Sequence, residues 1–374
     1  MLNTIVPGLV RRGFEAHASM TQNQGGGNDG EEPQPQFPVW GGIILVSTFI
    51  LLIVVMFTID YTFGKLVPTL IMIESPPESI GFEPLSTEDP DSTINKDPEE
   101  LLVKPQPITS SFRRTLRHLG GFRARFRGIL MYFISTFAIG VVGSILSAFP
   151  ILSYIPRPFW NGVATVVCAL LPLTWTHIAI SQPSPKTWFR RIPSMKTWKK
   201  VAAPTAVLAV AEQLSVFLPV YLAMATGLTD KKPKEIAYMN GGQQTATACK
   251  GLGVLAFSLA LSFLIVIPAK VTLVRVQASL LPDTDESSVP FDRSFGGKVV
   301  PEIVGGSGVI GMLDAWKTFD WASRIRLIKA YLKVFAMQVG VTVVFTICLI
   351  AEMIMIAGVK DWARFFPKDG DQQL

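Results

Sequence analysis

The sequence predicts an all-α integral membrane protein with six transmembrane helices in three pseudo-symmetric repeats. Hydrophobic residues make up 49% of the chain and charged residues only 17%, whereas roughly 25% of a soluble domain is charged. Three apolar segments also carry a proline near their C-terminal end, at Pro68, Pro172 and Pro268. A basic, aromatic stretch and a second apolar segment follow each proline, so the pattern repeats about every 100 residues.

Six apolar windows account for the predicted helices. Each reaches the length of about 20 residues that crosses the hydrocarbon core of a bilayer. Backbone groups must be satisfied internally there, and the windows lack the alternation of barrel strands, so we expect helices. The windows are residues 39–68, 128–149, 159–180, 201–228, 251–273 and 332–359.

The basic residues lie mainly in the loops between these helices. Connecting the helices in order places residues 74–127, 181–200 and 274–329 on one side of the membrane. This basic-loop side holds about 20 Lys and Arg residues against about 10 on the other, so it is predicted to face the more negative compartment. The net charge of +6 therefore comes from basic loops that orient the helices in the membrane, and we expect no nucleic-acid partner.

The predicted organisation follows the repeats. Composition rich in Gly, Pro, Gln and Asn predicts a disordered N-terminal arm. Two polar segments with several prolines and acids read as exposed insertions in the first and third repeats. The arm spans residues 1–37, repeat 1 residues 38–149 with insertion 75–109, repeat 2 residues 150–228, repeat 3 residues 229–359 with insertion 281–308, and the tail residues 360–374.

Each repeat contains an aromatic and basic stretch before its second transmembrane helix. These stretches are residues 111–133, 187–208 and 314–335. Aromatic rings with Lys and Arg at helical spacing suit a short helix in the headgroup plane of a bilayer. The stretches therefore predict contacts with membrane lipids.

On these features the chain resembles the mitochondrial carrier family over residues 39–359. Each repeat of that family joins a helix ending in Pro-x-[Asp/Glu]-x-x-[Lys/Arg], an amphipathic matrix-side helix and a second transmembrane helix. The best local match is PAKVTLVRVQ, where Pro268, Arg275 and Gln277 occupy the positions of the extended motif. The resemblance implies a mitochondrial-carrier-like fold, a mitochondrial membrane, inner or outer, and transport of a small solute by alternating access.

The charges of the family motif are missing from this chain. Its positions hold Leu70, Thr174 and Lys270 instead of an acid, and Ile73, His177 and Leu273 instead of a base. The salt bridges that close the matrix gate in the family are thus absent in their usual form. Two functions stay open: a solute carrier, and a non-transporting scaffold or adaptor that binds a protein partner through its acidic loops.

Ionisable residues at bilayer depth are the candidate solute-binding residues, because they are costly there. Glu212 leads, since it lies about twelve residues into the fourth helix, near the depth at which even helices of the family contact substrate. Hydrogen bonding between helices or protonated burial is the alternative for Glu212, and snorkelling to the interface is the alternative for charges nearer a helix end, such as Asp60. The candidates are Glu212, Gln213, His177, Lys270, Arg275 and Glu352.

The three prolines are expected to bend the odd helices around a central cavity. A cavity with few fixed charges suits a cationic, zwitterionic or largely apolar solute better than a multiply anionic one. The sequence has no phosphate-binding loop, no Gly-x-Gly-x-x-Gly motif after a predicted strand, no nucleophile elbow and no metal-spaced histidine cluster. We therefore expect no enzyme activity, catalytic residue, metal or cofactor, and no disulfide framework among the three cysteines.

Overall fold

The computed structural model describes residues 39–75, 107–149, 155–230, 239–300 and 302–365, the last nine of them by their backbone alone. The predicted N-terminal arm, most of the first insertion and the end of the C-terminal tail lie outside these residues. Within the described ranges the chain is helical and forms no strand, apart from an isolated antiparallel bridge between Ser181 and Ser287.

The described residues form nine α-helices. Single 3₁₀ turns lie at Ile108–Ser110, Phe122–Phe126, Trp188–Arg191 and Glu302–Val304. The helices are α1 (Val39–Ile73), α2 (Phe112–Leu119), α3 (Ile129–Ala148), α4 (Arg157–Val167), α5 (Leu170–Ile180), α6 (Met195–Ala225), α7 (Gly241–Ser279), α8 (Met312–Lys317) and α9 (Trp321–Phe365).

Five helical stretches are long and apolar enough to cross a membrane. They are α1, α3 with the 3₁₀ turn before it, α6, α7 and the part of α9 up to Ile356. The pair α4 and α5 supplies a sixth if it counts as one span, although its two halves meet at an angle of 65°. The prediction of an all-helical chain with several membrane-spanning helices is therefore confirmed, while the three-repeat arrangement stays a prediction.

Two of the three spaced prolines follow a π-helical turn. Proline has no N–H, so the carbonyl four residues earlier loses its helical partner. In α1 that carbonyl belongs to Gly64, inside the π-helical turn Asp60–Leu66. In α7 it belongs to Leu264, inside the π-helical turn Ser262–Val266. The helix thus absorbs each proline by a local change of hydrogen-bond register.

The third proline follows a break in the helix. Pro172 has no N–H to donate to the Cys168 carbonyl. That carbonyl instead accepts a hydrogen bond from the Leu171 N–H at 2.9 Å. This tight turn separates α4 from α5. The single helix predicted for residues 159–180 is therefore a bent pair, with its bend four residues before the proline.

The contacts within the chain divide it into two compact units. In the first, formed by the described residues of Met1–Leu52 and Thr342–Leu374, Thr48 donates a hydrogen bond of 2.6 Å to Glu352. Gly41 packs so closely on Ile356 that a Cβ there would lie 2.5 Å from a methyl group. Small residues of this kind let membrane helices approach each other.

The second unit, Ile53–Val341, contains the convergence of three helix ends. The C-terminal turns of α1, α5 and α7 share one apolar cluster, to which Leu70, Ile180 and Val274 belong. This shared cluster, which we call the floor, holds the three helices together on the side of their last turns.

The second insertion is exposed along most of its length, as its composition predicts, but three of its apolar residues are buried. Leu281, Val289 and Phe295 are all at most 5% exposed, and the first two belong to the floor. The middle amphipathic stretch also differs from expectation, because it is a single 3₁₀ turn rather than a helix up to Pro193. The residue before a proline is disfavoured in helical conformation, and Ile192 is extended.

Candidate functional site

A cavity of about 350 Å³ lies within the second unit, next to the floor. Five helices contribute to its wall, so no single element forms the site. The lining residues come from α1 (Lys65, Thr69), α3 (Tyr132, Ser135, Thr136, Ile139), α5 (Pro172, Trp175), α6 (Glu212) and α7 (Lys270). A concave site of this size is within the range of small-molecule pockets.

The cavity contains charges of both signs. Lys65 forms an ion pair with Asp60 at 3.5 Å, and Glu212 interacts electrostatically with Lys270 and with Lys65. The Lys270 ammonium also lies 5.5 Å from the ring centre of Tyr331. The two lysines are thus matched by two carboxylates, and the group is formally neutral.

Aromatic rings form one wall of the cavity. The ring centres of Tyr132 and Trp175 are 6.3 Å apart, and the Lys65 ammonium lies 5.2 Å from the centre of the Tyr132 ring. Trp175 donates a hydrogen bond of 3.1 Å to the Tyr61 hydroxyl, which donates in turn to the Arg127 carbonyl at 2.5 Å. This chain fixes the orientation of the wall, since each buried polar tip has a partner.

The floor is held by hydrogen bonds as well as by apolar contacts. Thr176 of α5 donates to the side chain of Gln277 on α7 at 2.6 Å. His177 Nε2 lies 2.8 Å from the Gln277 carbonyl oxygen, and Arg275 of α7 donates to the Met72 carbonyl of α1 at 3.0 Å. These bonds join all three helix ends just beyond the cavity.

The structure brings two of the candidate solute-binding residues together in the cavity, Glu212 and Lys270. His177 does not line it, because its ring is buried in the floor with Gln277. Arg275 also lies beyond the cavity, with its guanidinium between the rings of Phe295 and Phe319.

The other two candidates are engaged elsewhere. Gln213 donates a hydrogen bond of 3.0 Å to the Pro158 carbonyl at the start of α4, so it joins two helices. Glu352 accepts from Thr48 in the first unit. Neither residue lines the cavity.

The sequence does not mark seven of the ten residues that line the cavity as site residues, among them Lys65, Tyr132 and Trp175. Lys65 carries a recognisable signal, because it is a lone lysine in the first apolar window, five residues after Asp60, and charges at that depth default to functional roles. Tyr132 and Trp175 carry none, since aromatic residues are common near both ends of membrane helices.

No protein-family model and no curated protein matches this chain. Among the described residues, no group of three or more His, Cys, Asp or Glu side chains is placed to hold a metal ion.

Proposed function

We propose that this protein is a carrier that moves a small solute across a membrane by alternating access. The observation that carries this proposal is the cavity in which Glu212 and Lys270 meet Lys65. Charged side chains inside a membrane are costly and tend to mark substrate pathways. A polar solute bound among them explains why one cavity retains both signs of charge.

The balance of charge favours a zwitterionic solute. Its anionic group would lie toward Lys65 and Lys270 and its cationic group toward Glu212, with the rings of Tyr132 and Trp175 covering its apolar part. A multiply anionic solute would place its excess charge near Glu212, and like charges repel strongly where the dielectric constant is low. A small amino-acid-like molecule fits both the charges and the volume of about 350 Å³.

The proposal includes the carrier-like arrangement of three repeats. It is supported by the irregular helix geometry that precedes Pro68, Pro172 and Pro268, and by the meeting of α1, α5 and α7 at one floor. The closed floor corresponds to one end state of an alternating-access cycle. A mitochondrial membrane is the location that the resemblance implies, and fractionation of tagged protein tests it.

Uptake into proteoliposomes tests the carrier function. The panel contains zwitterionic, cationic, monoanionic and multiply anionic solutes of similar size. We expect uptake of a zwitterion, reduced at least about tenfold in Glu212→Gln and in Lys270→Met, because each change removes a charge that would bind the opposite charge of the solute, and a hydrogen bond to a charged group contributes about 1.5–3 kcal/mol. Asp230→Asn and Lys250→Met make the same changes at exposed positions and should keep full uptake.

The scaffold function is the alternative, and the packing of the second insertion on the floor favours it, since a sealed helix bundle needs no gate. If folded protein in liposomes takes up no solute of the panel, the carrier proposal fails. A protein partner that co-purifies reproducibly with the intact chain, but not with a chain lacking residues 76–106 of the acidic first insertion, would then support the scaffold.

A further inference from the structure

Residues 281–300, which follow α7, form a segment that we call the strap. It is attached to the end of α1 by two hydrogen bonds. The main-chain N–H of Ser75 donates to the Pro290 carbonyl at 3.0 Å, and the main-chain N–H of Asp292 donates to the Ser75 hydroxyl at 2.8 Å. The strap thus returns from α7 to Ser75, the second residue after α1.

The strap is also paired with the end of α5. The Ser288 N–H donates to the Ile180 carbonyl at 2.7 Å, and the Gln182 N–H donates to the Glu286 carbonyl at 2.8 Å. These two bonds flank the antiparallel bridge between Ser181 and Ser287. All three helices that meet at the floor are therefore connected to the strap.

Neighbouring side chains hold the strap from outside. His118 Nε2 of α2 lies 2.8 Å from the Ser288 carbonyl oxygen, and Lys186 forms an ion pair of 3.1 Å with Asp285. Burial raises the pKa of the Asp285 carboxyl, but the hydrogen bond and charge of Lys186, the charge of Arg191 and a hydrogen bond from Thr284 together outweigh it, so that this pKa lies below its ordinary value. The carboxylate is thus stabilised in its charged form.

The strap contributes to the apolar floor itself. Val289, at 3% exposure, packs in the cluster that contains Leu70, Ile180 and Val274. Moving the strap away would expose this apolar surface to water or leave a void, and either is unfavourable. Moving the strap therefore disrupts the floor, and the floor cannot open while the strap stays in place.

Arg275 links the strap to two of the helices. Its guanidinium lies 4.7 Å from the ring centre of Phe295 in the strap and 5.5 Å from that of Phe319, while it donates to the Met72 carbonyl. Phe295 has a φ of +50°, which is unfavourable for a residue with a bulky side chain. Such a conformation persists only where surrounding contacts hold it.

We propose that the strap is a plug that holds the cavity shut on the basic-loop side and must lift before a solute can leave there. Its role in passage rests on the proposed carrier function. The closure rests only on the contacts between the strap and the helix ends.

A disulfide that locks the strap tests this role. Ser181→Cys and Ser287→Cys are introduced after Cys168, Cys249 and Cys348 are replaced. The bridge between these positions is a non-hydrogen-bonded antiparallel pair, with Cα atoms about 4.5 Å apart, which a disulfide can span. Oxidation should abolish solute uptake and reduction should restore it, while each single-cysteine variant stays active. Full uptake by protein shown to be oxidised would overturn the plug.

A labelling experiment tests closure without any transported solute. Thr136→Cys serves as a reporter in the cavity of a chain without its native cysteines, and a membrane-impermeant maleimide is added on the basic-loop side. Phe295→Ala should label at least about fivefold faster, because it removes a cation–π contact and a buried ring from the closed state. Phe122→Ala, which removes an exposed ring, should label at the unchanged rate.

The two experiments separate failure of the plug from failure of the carrier. Faster labelling of Phe295→Ala without uptake of any solute supports the plug and contradicts the carrier. An unchanged labelling rate, in protein whose unfolding midpoint shows that it is folded, overturns the plug whatever the uptake.

Discussion

Glu74 connects three parts of the second unit through one buried carboxylate. It is 3% exposed and lies just beyond α1. It accepts hydrogen bonds from the N–H groups of Ile108 and Thr109 and from the Thr109 hydroxyl. It also forms an ion pair with Arg326 of α9 at 3.3 Å. Glu74 directly precedes the first insertion, and Ile108 and Thr109 are the last two residues of it, so Glu74 joins the two ends of that insertion.

Replacing Glu74 with Ala should destabilise the fold strongly. The change leaves two N–H groups and the Arg326 guanidinium without their buried partner, and breaking a buried pair in this way costs about 3–5 kcal/mol. We expect a clearly lower midpoint of thermal unfolding in detergent. Asp283→Ala removes an exposed partner of Arg293 and should leave the midpoint unchanged, because exposed pairs contribute little. Equal midpoints for the two variants would contradict this role of Glu74.

Pro172 determines the bend between α4 and α5. Alanine at this position would supply an N–H that can bond the Cys168 carbonyl in place of the Leu171 N–H, so a continuous helix becomes possible and can gain up to about 3 kcal/mol. We expect Pro172→Ala to reduce the 65° angle in a determined structure and to lower uptake, because Trp175 and residue 172 itself line the cavity.

Pro204 supplies the control for this change. It lies inside α6, which runs from Met195 to Ala225 without a break, so Pro204→Ala should leave the helix geometry as it is. An unchanged bend in Pro172→Ala would mean that packing around Trp175, and not the missing N–H, produces the angle.

The prolines show what the sequence can predict for a helix and where it stops. Their positions and the apolar windows predict six helical segments and three points of irregularity. Whether a helix absorbs a proline by a π-helical turn, as in α1 and α7, or by a break, as before α5, depends on the packing of its neighbours. The window of residues 159–180 contains no signal that separates these outcomes.

The strap shows the same limit for a connecting segment. Its polar composition predicts exposure, and its few buried residues, Leu281, Val289 and Phe295, follow neither a helical nor a strand period. Their burial comes from contacts with helix ends that are distant in the sequence. The polar residues that contact the strap, such as Ser75 and Arg275, form no local sequence pattern from which these contacts could be predicted.

The two compact units of the chain are defined differently from its three predicted repeats. Repeats report similar local patterns, whereas the units report which segments touch. The start of α1 and the end of α9 form one unit, while the cavity, the floor and the strap all lie within Ile53–Val341. The repeat boundaries stay a prediction, and the site can be described within one unit without them.

The number of membrane crossings depends on whether α4 and α5 form one span. Arg157, at the start of α4, donates a hydrogen bond of 3.1 Å to Ser144 near the end of α3. Ile178, near the end of α5, lies beside Gly128 at the start of α3. The pair therefore runs antiparallel to α3 along its length. Eleven residues in each half give about 16 Å of helix apiece. With the bend of 65° the pair reaches about 28 Å, which is close to a bilayer core of about 30 Å.

This geometry predicts six crossings. Cysteines at Ile155 and at Lys196, placed singly in a chain without native cysteines, should react with an impermeant maleimide from opposite sides of the membrane. A cysteine at Asp230 should then react from the side of Ile155, because α6 crosses back. Labelling of Ile155 and Lys196 from one side would show that α4 and α5 re-enter the membrane. The chain would then cross the membrane five times, and the basic loops would lie on both sides of it. The plug would no longer have a single basic-loop side to close.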